Sequence, residues 1–380
     1  MVKDRSKLNL GVIFGGRSGE YEVSLMSARS VLSELNEDKY EVVQIGIAQD
    51  GTWWSGDHVL EAFENNEGFE NLYPVSLLPD PTRPRLILLN DSNSIYPHKP
   101  NPDFGLDVIF PVLHGTFGED GTLQGVLEMA DIAYVGAGVL GSALGMDKAV
   151  FKDVMRANEI PVVETIVCLR GEIENDIQNV LHKSEKLAPY PLFVKPANLG
   201  SSVGITKCAN RSDLMEGLIE ACRYDRKVII ERGLDAREIE VSVLGNDAPV
   251  ASVPGEILPS REFYSYEAKY IDEKSELIIP APLPDDLIHR IQELAILVYR
   301  AIDCSGMARV DFLLEKVPRN GDGLYLGELN TIPGFTKISM YPKLWEASGL
   351  PYADLLDRLV ELAIERKTDR DRIERHYSKE

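Results

Sequence analysis

The alternation running through residues 305–340 constrains the fold of this chain more than any other feature. The stretch reads SGMARVDFLLEKVPRNGDGLYLGELNTIPGFTKISM. Arg309, Asp311 and Leu313 fall on one face and Val310, Phe312 and Leu314 on the other, a period of two that argues for a strand. Pro318 to Gly323 then supplies turn residues that tolerate positive φ. From Leu324 to Asn330 the alternation resumes, with Glu328 and Asn330 on one face. The expectation is an antiparallel hairpin. If it closes symmetrically about Arg319-Asn320, Asp311 lies opposite Glu328 and Arg309 opposite Asn330. That register gathers two carboxylates, a carboxamide and a guanidinium. Oxygen donors without His or Cys suit a hard cation such as Mg²⁺ or Mn²⁺, and bound Mg²⁺ usually shares its shell with nucleotide phosphates. The competing reading is a solvated polar face, with Arg309 in a structural ion pair to Asp311 or Glu328.

The pattern Arg-x-Asp, then Glu-x-Asn-Thr-x-Pro-Gly-Phe-Thr-x-x-Ser, resembles the metal-binding end of the ATP-grasp ligases, and among them the D-alanine–D-alanine ligase family. The resemblance continues, in the family's order, through Gly15-Gly16, Glu20, His114-Gly115, Glu119-Asp120-Gly121, Lys148, Lys195, Gly200-Ser201-Ser202-Val203-Gly204 and Glu267-Ala268-Lys269-Tyr270. It covers most of the chain. It implies an α/β protein, α+β in its C-terminal part, with the three-domain ATP-grasp fold and an N-terminal Rossmann-like parallel sheet. The expected domains are residues 1–142 (substrate binding), 143–231 (the smaller ATP-grasp domain) and 232–380 (metal and substrate sites). It also implies ATP-dependent joining of two D-alanines through a D-alanyl phosphate, for peptidoglycan precursor synthesis. ATP, two Mg²⁺ or Mn²⁺ ions and a homodimer come with it.

Composition agrees with that class. A chain of 380 residues has room for two or three domains. A formal net charge of −21 argues against nucleic acid or an anionic membrane as partner, although local Lys and Arg can still hold a nucleotide. Four scattered cysteines without CxxC spacing read as core residues or free thiols in a reducing compartment. The short apolar run ending in Gly15-Gly16 reads as a first strand rather than a signal peptide, and no run is long enough to span a bilayer. A cytoplasmic protein is expected.

Along the chain, Leu8–Phe14 (strand), a glycine turn and Glu20–Leu35 (helix) open an α/β unit. Tyr40–Ala48 is the next strand, and residues 51–105 read as an insertion with a short helix and a hairpin. Asp107–Leu113 is a buried strand and Gly121–Met129 a helix. Met146–Asn158 is a helix, Pro161–Leu169 a strand, Glu172–Ser184 a helix and Pro191–Pro196 a strand. Ser212 is expected to cap a helix reaching Ala221, before strand Lys227–Glu231. Glu238–Gly245 and Val250–Ile257 are strands; Leu287–Ile302 and Pro351–Lys367 are helices.

The resemblance assigns roles residue by residue. Lys148 and Lys195 contact phosphates, and the loop holding Ser201 and Ser202 closes over them. Glu231, Arg232 and Leu234 read the adenine edge, and Glu238 holds the ribose. Asp311, Glu328 and Asn330 bind metal. Arg309 and the Gly334 N–H stabilise developing negative charge. Glu20 anchors the first D-alanine's amine; Ser339 and Met340 take the second D-alanine's carboxylate. Ser201, Tyr270 and Glu20 form a hydrogen-bonded relay, and His114 is either a further substrate contact or a satisfied structural histidine. Tyr264–Ile271 reads as a lid carrying Lys269 to the γ-phosphate. Two departures stand out: the 51–105 insertion follows the longer members, and Arg232 stands where many have lysine. Rival readings are the same chemistry with D-lactate or D-serine as acceptor, a phosphotransferase, and a non-catalytic ATP-binding module. The kinase HRD motif and the G-x-G-x-x-G-x-V loop are absent from the sequence.

Overall fold

The computed structural model describes residues 7–89, 105–200, 203–258, 276–318 and 321–374. Its backbone builds three sheets. The first is seven-stranded, in the order β5-β4-β3-β2-β1-β6-β7. Strands β1 (Leu8–Gly15), β2 (Tyr40–Ile47), β6 (Val108–Pro111) and β7 (Ala133–Tyr134) are mutually parallel. That core of the sheet is the expected Rossmann-like part. The insertion makes the sheet mixed: β3 (Trp53–Ser55), β4 (Tyr73–Leu77) and β5 (Leu86–Leu88) extend it antiparallel. Its short helix is α2 (Val59–Asn65).

After β1 the chain turns through Gly15 and Gly16, at φ of 88° and 102°. A Cβ on Gly15 would lie 2.3 Å from the Ile47 carbonyl oxygen, so only glycine lets the turn press against β2. Ser24, on helix α1 (Tyr21–Glu34), locks the turn: its hydroxyl accepts from the Gly15 N–H at 2.8 Å and donates to the Val112 carbonyl.

The second sheet is antiparallel, in the order β10-β9-β11-β8, with β8 Thr165–Leu169, β9 Leu192–Pro196, β10 Thr206–Cys208 and β11 Lys227–Arg232. Apolar side chains of α6 (Arg170–Leu187) and α7 (Arg211–Tyr224) cover one of its faces. Helix α7 begins earlier than expected. Asn210, not Ser212, is its cap, and its Oδ1 accepts from the N–H groups of Ser212 and Asp213 at 2.9 and 3.1 Å. Helix α3 spans Thr122–Ala130, α4 Val139–Met146 and α5 Lys148–Ala157.

The third sheet runs β15-β14-β12-β16-β17, with β15 (Glu276–Ile278) at its edge and β13 beside β12. The stretch expected as one strand over Val250–Ile257 is two, β13 (Val250–Ala251) and β14 (Gly255–Leu258). Pro254 separates them, since proline cannot donate to a ladder. Strands β12 (Ala236–Gly245), β16 (Gly306–Glu315) and β17 (Leu324–Asn330) form its centre, and α8 (Asp285–Ala301) packs behind it. Helices α9 (Met340–Ala347) and α10 (Tyr352–Arg370) follow. The apolar face of α10 shares a core with β1 and β6 of the first sheet. Among the described residues no helix is long and apolar enough to cross a membrane.

The hairpin forms with the expected pairs, Arg309 opposite Asn330 and Asp311 opposite Glu328. Its symmetry breaks one step further in, where a bulge at Gly327 shifts Phe312 onto Leu326. The bulge has a physical cause. Leu324, Leu326, Glu328 and Asn330 share one parity, so a regular strand would expose the leucines or bury the polar pair. The extra residue lets Leu324 and Leu326 enter the core at 2% and 1% exposure while Glu328 and Asn330 stay on the open face. The expected turn centre, Arg319-Asn320, lies outside the described residues.

Candidate active site

Elements of all three sheets meet at a small polar cavity of about 50 Å³. Glu20 and His114 line it from the first sheet's side, Lys148 and Gly200 from the second, and Arg309 and Glu328 from the third. Asn330 and Gly334 complete the third sheet's contribution.

Glu20 holds the N-cap position of α1, yet its side chain makes no cap bond. The carboxylate turns into the cavity instead, where two glycines make room for it. A Cβ on either Gly115 or Gly200 would lie 2.7 Å from Glu20 Oε2. His114 is 3% exposed, and both ring nitrogens are engaged: Nε2 with Ser27 Oγ and Nδ1 with the Ile332 carbonyl, each at 3.0 Å. Burial pushes its pKa down, but Glu119, Glu20 and that carbonyl outweigh burial and leave it raised. His114 ties the first sheet to the loop after β17 as a satisfied structural group, while one side of it faces the cavity.

On the hairpin face, Arg309 makes a two-pronged contact with Asp311, Nε to Oδ1 and Nη2 to Oδ2, both at 2.7 Å. Its Nε also stands 2.9 Å from Glu240 Oε2. Burial opposes its charge, and Asp311, Glu240 and Glu328 more than offset that, holding its pKa well above the usual guanidinium value. Asn330 Nδ2 donates to Asp311 Oδ2 at 2.9 Å. That orientation leaves the amide Oδ1 as an oxygen donor. With the carboxylates of Asp311 and Glu328, the face therefore offers three oxygen-bearing groups, the chemistry a hard divalent cation takes. Among the described residues no group of three or more His, Cys, Asp or Glu side chains is placed to hold a metal, so the carboxamide is a necessary member of any such set.

Lys148 bridges the second and third sheets. Its Nζ donates to the Leu199 carbonyl at 2.8 Å and stands 3.5 Å from Glu328 Oε2. The start of the following glycine loop is held firmly. Asn198 donates its backbone N–H to Asp225 Oδ2 at 2.8 Å and its side-chain amide to the same atom at 3.1 Å. Asp147 caps α5 and takes Lys227 Nζ at 2.5 Å. Burial favours the neutral acid of Asp147, but Lys227 and the helix N–H groups hold its pKa below the usual carboxylate value.

Lys195 Nζ stands 2.7 Å from Glu231 Oε2, and Lys152 Nζ 2.8 Å from Glu231 Oε1. Burial works against ionised Glu231, yet the two lysines keep its pKa well below the carboxylate range. Arg232 does not sit in an open link as expected. It ends β11, 5% exposed, with Nε 2.7 Å from Glu164, Nη1 3.1 Å from Glu315, and its guanidinium over the Tyr325 ring. Its side chain is thus tied between the second and third sheets. Leu234 and Glu238 are half-buried. Ser339 caps α9 positionally, but its Oγ is taken by Thr336, accepting from its N–H at 3.1 Å and meeting its hydroxyl at 2.7 Å; Met340 behind it is 5% exposed. Ser201, Ser202, Lys269, Tyr270 and the expected lid lie outside the described residues.

Sequence reasoning missed Glu240. Its signal was present: AREIEVSV alternates with Glu238 and Glu240 on one face, and β12 pairs Glu240 with Asp311. It also passed over Lys152, which lies one helical turn beyond Lys148 and gives no sign of burial in a mixed pattern.

Comparison with known proteins places this arrangement. Residues 9–137 match the family model described as "D-ala D-ala ligase N-terminus" and residues 154–361 the one described as "D-ala D-ala ligase C-terminus". The chain is 48% identical over 372 residues to the D-alanine–D-alanine ligase of Natranaerobius thermophilus, covering 98% of this chain and 99% of that one. Among solved structures, the D-alanine–D-alanine ligase from Coxiella burnetii aligns at TM-score 0.81 and 36% identity, over 97% of each chain. The VanG D-Ala:D-Ser ligase from Enterococcus faecalis aligns at TM-score 0.81 and 35% identity, over 94% of this chain and 99% of that one.

Proposed function

The chain belongs to the D-alanine–D-alanine ligase family, and on that premise we propose that it joins two D-alanines into D-alanyl-D-alanine at the expense of ATP, for peptidoglycan synthesis. The observation that carries this reading is the convergence of Glu20, Lys148, Arg309, Glu328 and Asn330 on one cavity between the three sheets of an ATP-grasp fold. In the first step a carboxylate oxygen of one D-alanine attacks the γ-phosphorus, ADP departs, and an acyl phosphate forms. In the second the amine of the other D-alanine attacks the acyl carbon. Inorganic phosphate leaves with the C–O bonding pair, and the amine loses a proton.

Such a reaction needs placement and neutralisation of charge more than covalent help from protein. Lys148 and Lys195 supply point charges for phosphate, with Ser202 and Lys269 as further contacts, while Glu231, Arg232, Leu234 and Glu238 frame the nucleoside. Glu20 pairs with the first substrate's ammonium. Ser339 and the Met340 backbone receive the second carboxylate, and Ser201 and Tyr270 relay the amine proton. Arg309 and the Gly334 N–H face the oxyanion. Asp311, Glu328 and Asn330 would hold Mg²⁺ or Mn²⁺, which when bound neutralises phosphate oxygens. We place the protein in the cytoplasm as a homodimer, the latter to be read from its mass in solution.

The direct test is phosphate release from ATP and Mg²⁺ with D-alanine, L-alanine or no amino acid, the product identified by mass. Release that requires D-alanine and yields the dipeptide is expected. Dominance of D-alanyl-D-serine or D-alanyl-D-lactate in mixed-acceptor reactions would replace the acceptor; no release from folded, ATP-binding protein would overturn the ligase assignment.

Gly115 provides a sharper test of the amine site. At φ 76°, its Cβ would lie 2.7 Å from both Glu20 Oε2 and Ser18 Oγ. Gly115→Ala should displace the Glu20 carboxylate and lower kcat/KM for D-alanine about 10- to 100-fold, with ATP affinity retained. Unchanged D-alanine kinetics would separate Glu20 from the substrate ammonium.

A further inference from the structure

Lys152 has no part in the chemistry above, yet it is 2% exposed, a deeply buried lysine on α5. A lysine ammonium is costly to remove from water, and a helix face offers it an easy route to solvent. Here it is drawn inward to Glu231 Oε1, while the other oxygen of the same carboxylate holds Lys195. The three charges form a chain from α5 through β11 to β9. We propose that Lys152 is a positioning residue that neutralises Glu231 and so leaves the charge of Lys195 free to act on the phosphate chain of the nucleotide. The inference rests on the reading of Lys195 as a phosphate ligand.

Two ammoniums share one carboxylate, so the chain carries a net single positive charge. The Lys195 side chain is 24% exposed and is the open member of the three; the Lys152 and Glu231 side chains are closed off at 2% and 6%. Without Lys152, Glu231 and Lys195 would be a neutral pair. The remaining charges facing Lys195, those of Glu328 and Glu238 across the cleft, are both negative. A phosphate chain would then meet one positive charge fewer at the place where it needs a cation. On the far side of Lys152 the charge that faces it is that of Arg156, which opposes its protonation and cannot take its place on Glu231. Burial lowers the Lys152 pKa, with Glu231 pulling the other way.

A merely structural Lys152 would change folding stability but not the affinity of the folded protein for an anion. A positioning role predicts that anion affinity tracks the net charge of the three residues. Inorganic tripolyphosphate, which has no adenine to involve Glu231 in nucleoside recognition, is titrated calorimetrically into the full chain in metal-free buffer, with thermal melts run on every variant. Lys195→Met should abolish binding; if it does not, the reading of Lys195 fails and this inference with it. Lys152→Met should weaken binding about tenfold, the size of one lost charge-assisted contact. Glu231→Gln should tighten it by a similar factor. The double variant Lys152→Met/Glu231→Gln restores the net charge and should return to within about threefold of the parent. If Lys152→Met does not fold, the decisive comparison is the double variant against Glu231→Gln, expected about tenfold apart. Lys152→Met with unchanged affinity, or a double variant equal to Glu231→Gln, would overturn the proposal while leaving Lys195 as a phosphate ligand.

Discussion

Glu328→Gln is expected to lower kcat by about a thousandfold while changing unfolding free energy by no more than ~1 kcal/mol. The two effects part company because of where the carboxylate sits. Its side chain is 32% exposed, and Lys148 Nζ, itself anchored on the Leu199 carbonyl, stands 3.5 Å from it. A contact of that length at a half-open face contributes little to stability, and Gln preserves the shape that β17 packs around. Function loses far more. Asp311 spends both oxygens on Arg309 and Asn330, and Glu328 brings the second carboxylate of the proposed metal set. Binding of Mn²⁺ in the presence of ADP, followed by its paramagnetic resonance signal, should weaken about 10- to 100-fold in the variant. Full kcat at saturating Mg²⁺ would remove Glu328 from the metal set.

That face was legible in the sequence because strand alternation and turn residues are local signals. Arg309, Asp311, Glu328 and Asn330 could be paired without knowing anything else about the chain. The bulge at Gly327 was less visible: alternation has a parity, and the two halves of LYLGELN disagree about which parity faces the core. Only an extra residue reconciles buried Leu324 and Leu326 with open Glu328 and Asn330. Glu240 was hidden for a different reason. It reaches Arg309 because β12 lies beside β16, and a neighbour more than sixty residues away in sequence leaves no mark in a local pattern. The same holds for Lys152 and Arg232, whose partners come from other elements. Nothing in the local sequence marks either as buried, and long-range ion pairs bury them. Asn210 in place of Ser212 is a local miss, since both residues cap well and the helix simply starts earlier. Strand, glycine turn and helix made the opening α/β unit legible, and the resemblance implied the parallel sheet, whereas the strand order, β7 and the antiparallel joining of β3–β5 to that sheet rest on long-range pairing.

Arg309→Met should be costly twice, and the two costs can be separated. The guanidinium joins Asp311, through two contacts at 2.7 Å, to Glu240, at 2.9 Å. Glu240 is 5% exposed, so removing the cation between two carboxylates should lower stability by about 3–5 kcal/mol. The double variant Arg309→Met/Glu240→Gln removes one of the repelling charges, and should recover a substantial part of that loss in a denaturant titration. Activity should not recover with it. If Arg309 faces the charge that develops during phosphoryl transfer and amine attack, both variants lose about 10³-fold in kcat, measured well below their melting temperatures. Arg309→Lys makes the distinction from the other side. A lysine keeps the positive charge but cannot present two N–H groups to Asp311 while reaching Glu240, so stability should return further than turnover. Recovery of turnover in step with stability, in either variant, would make Arg309 a structural tie between β12 and β16 and move the stabilisation of negative charge elsewhere in the cleft.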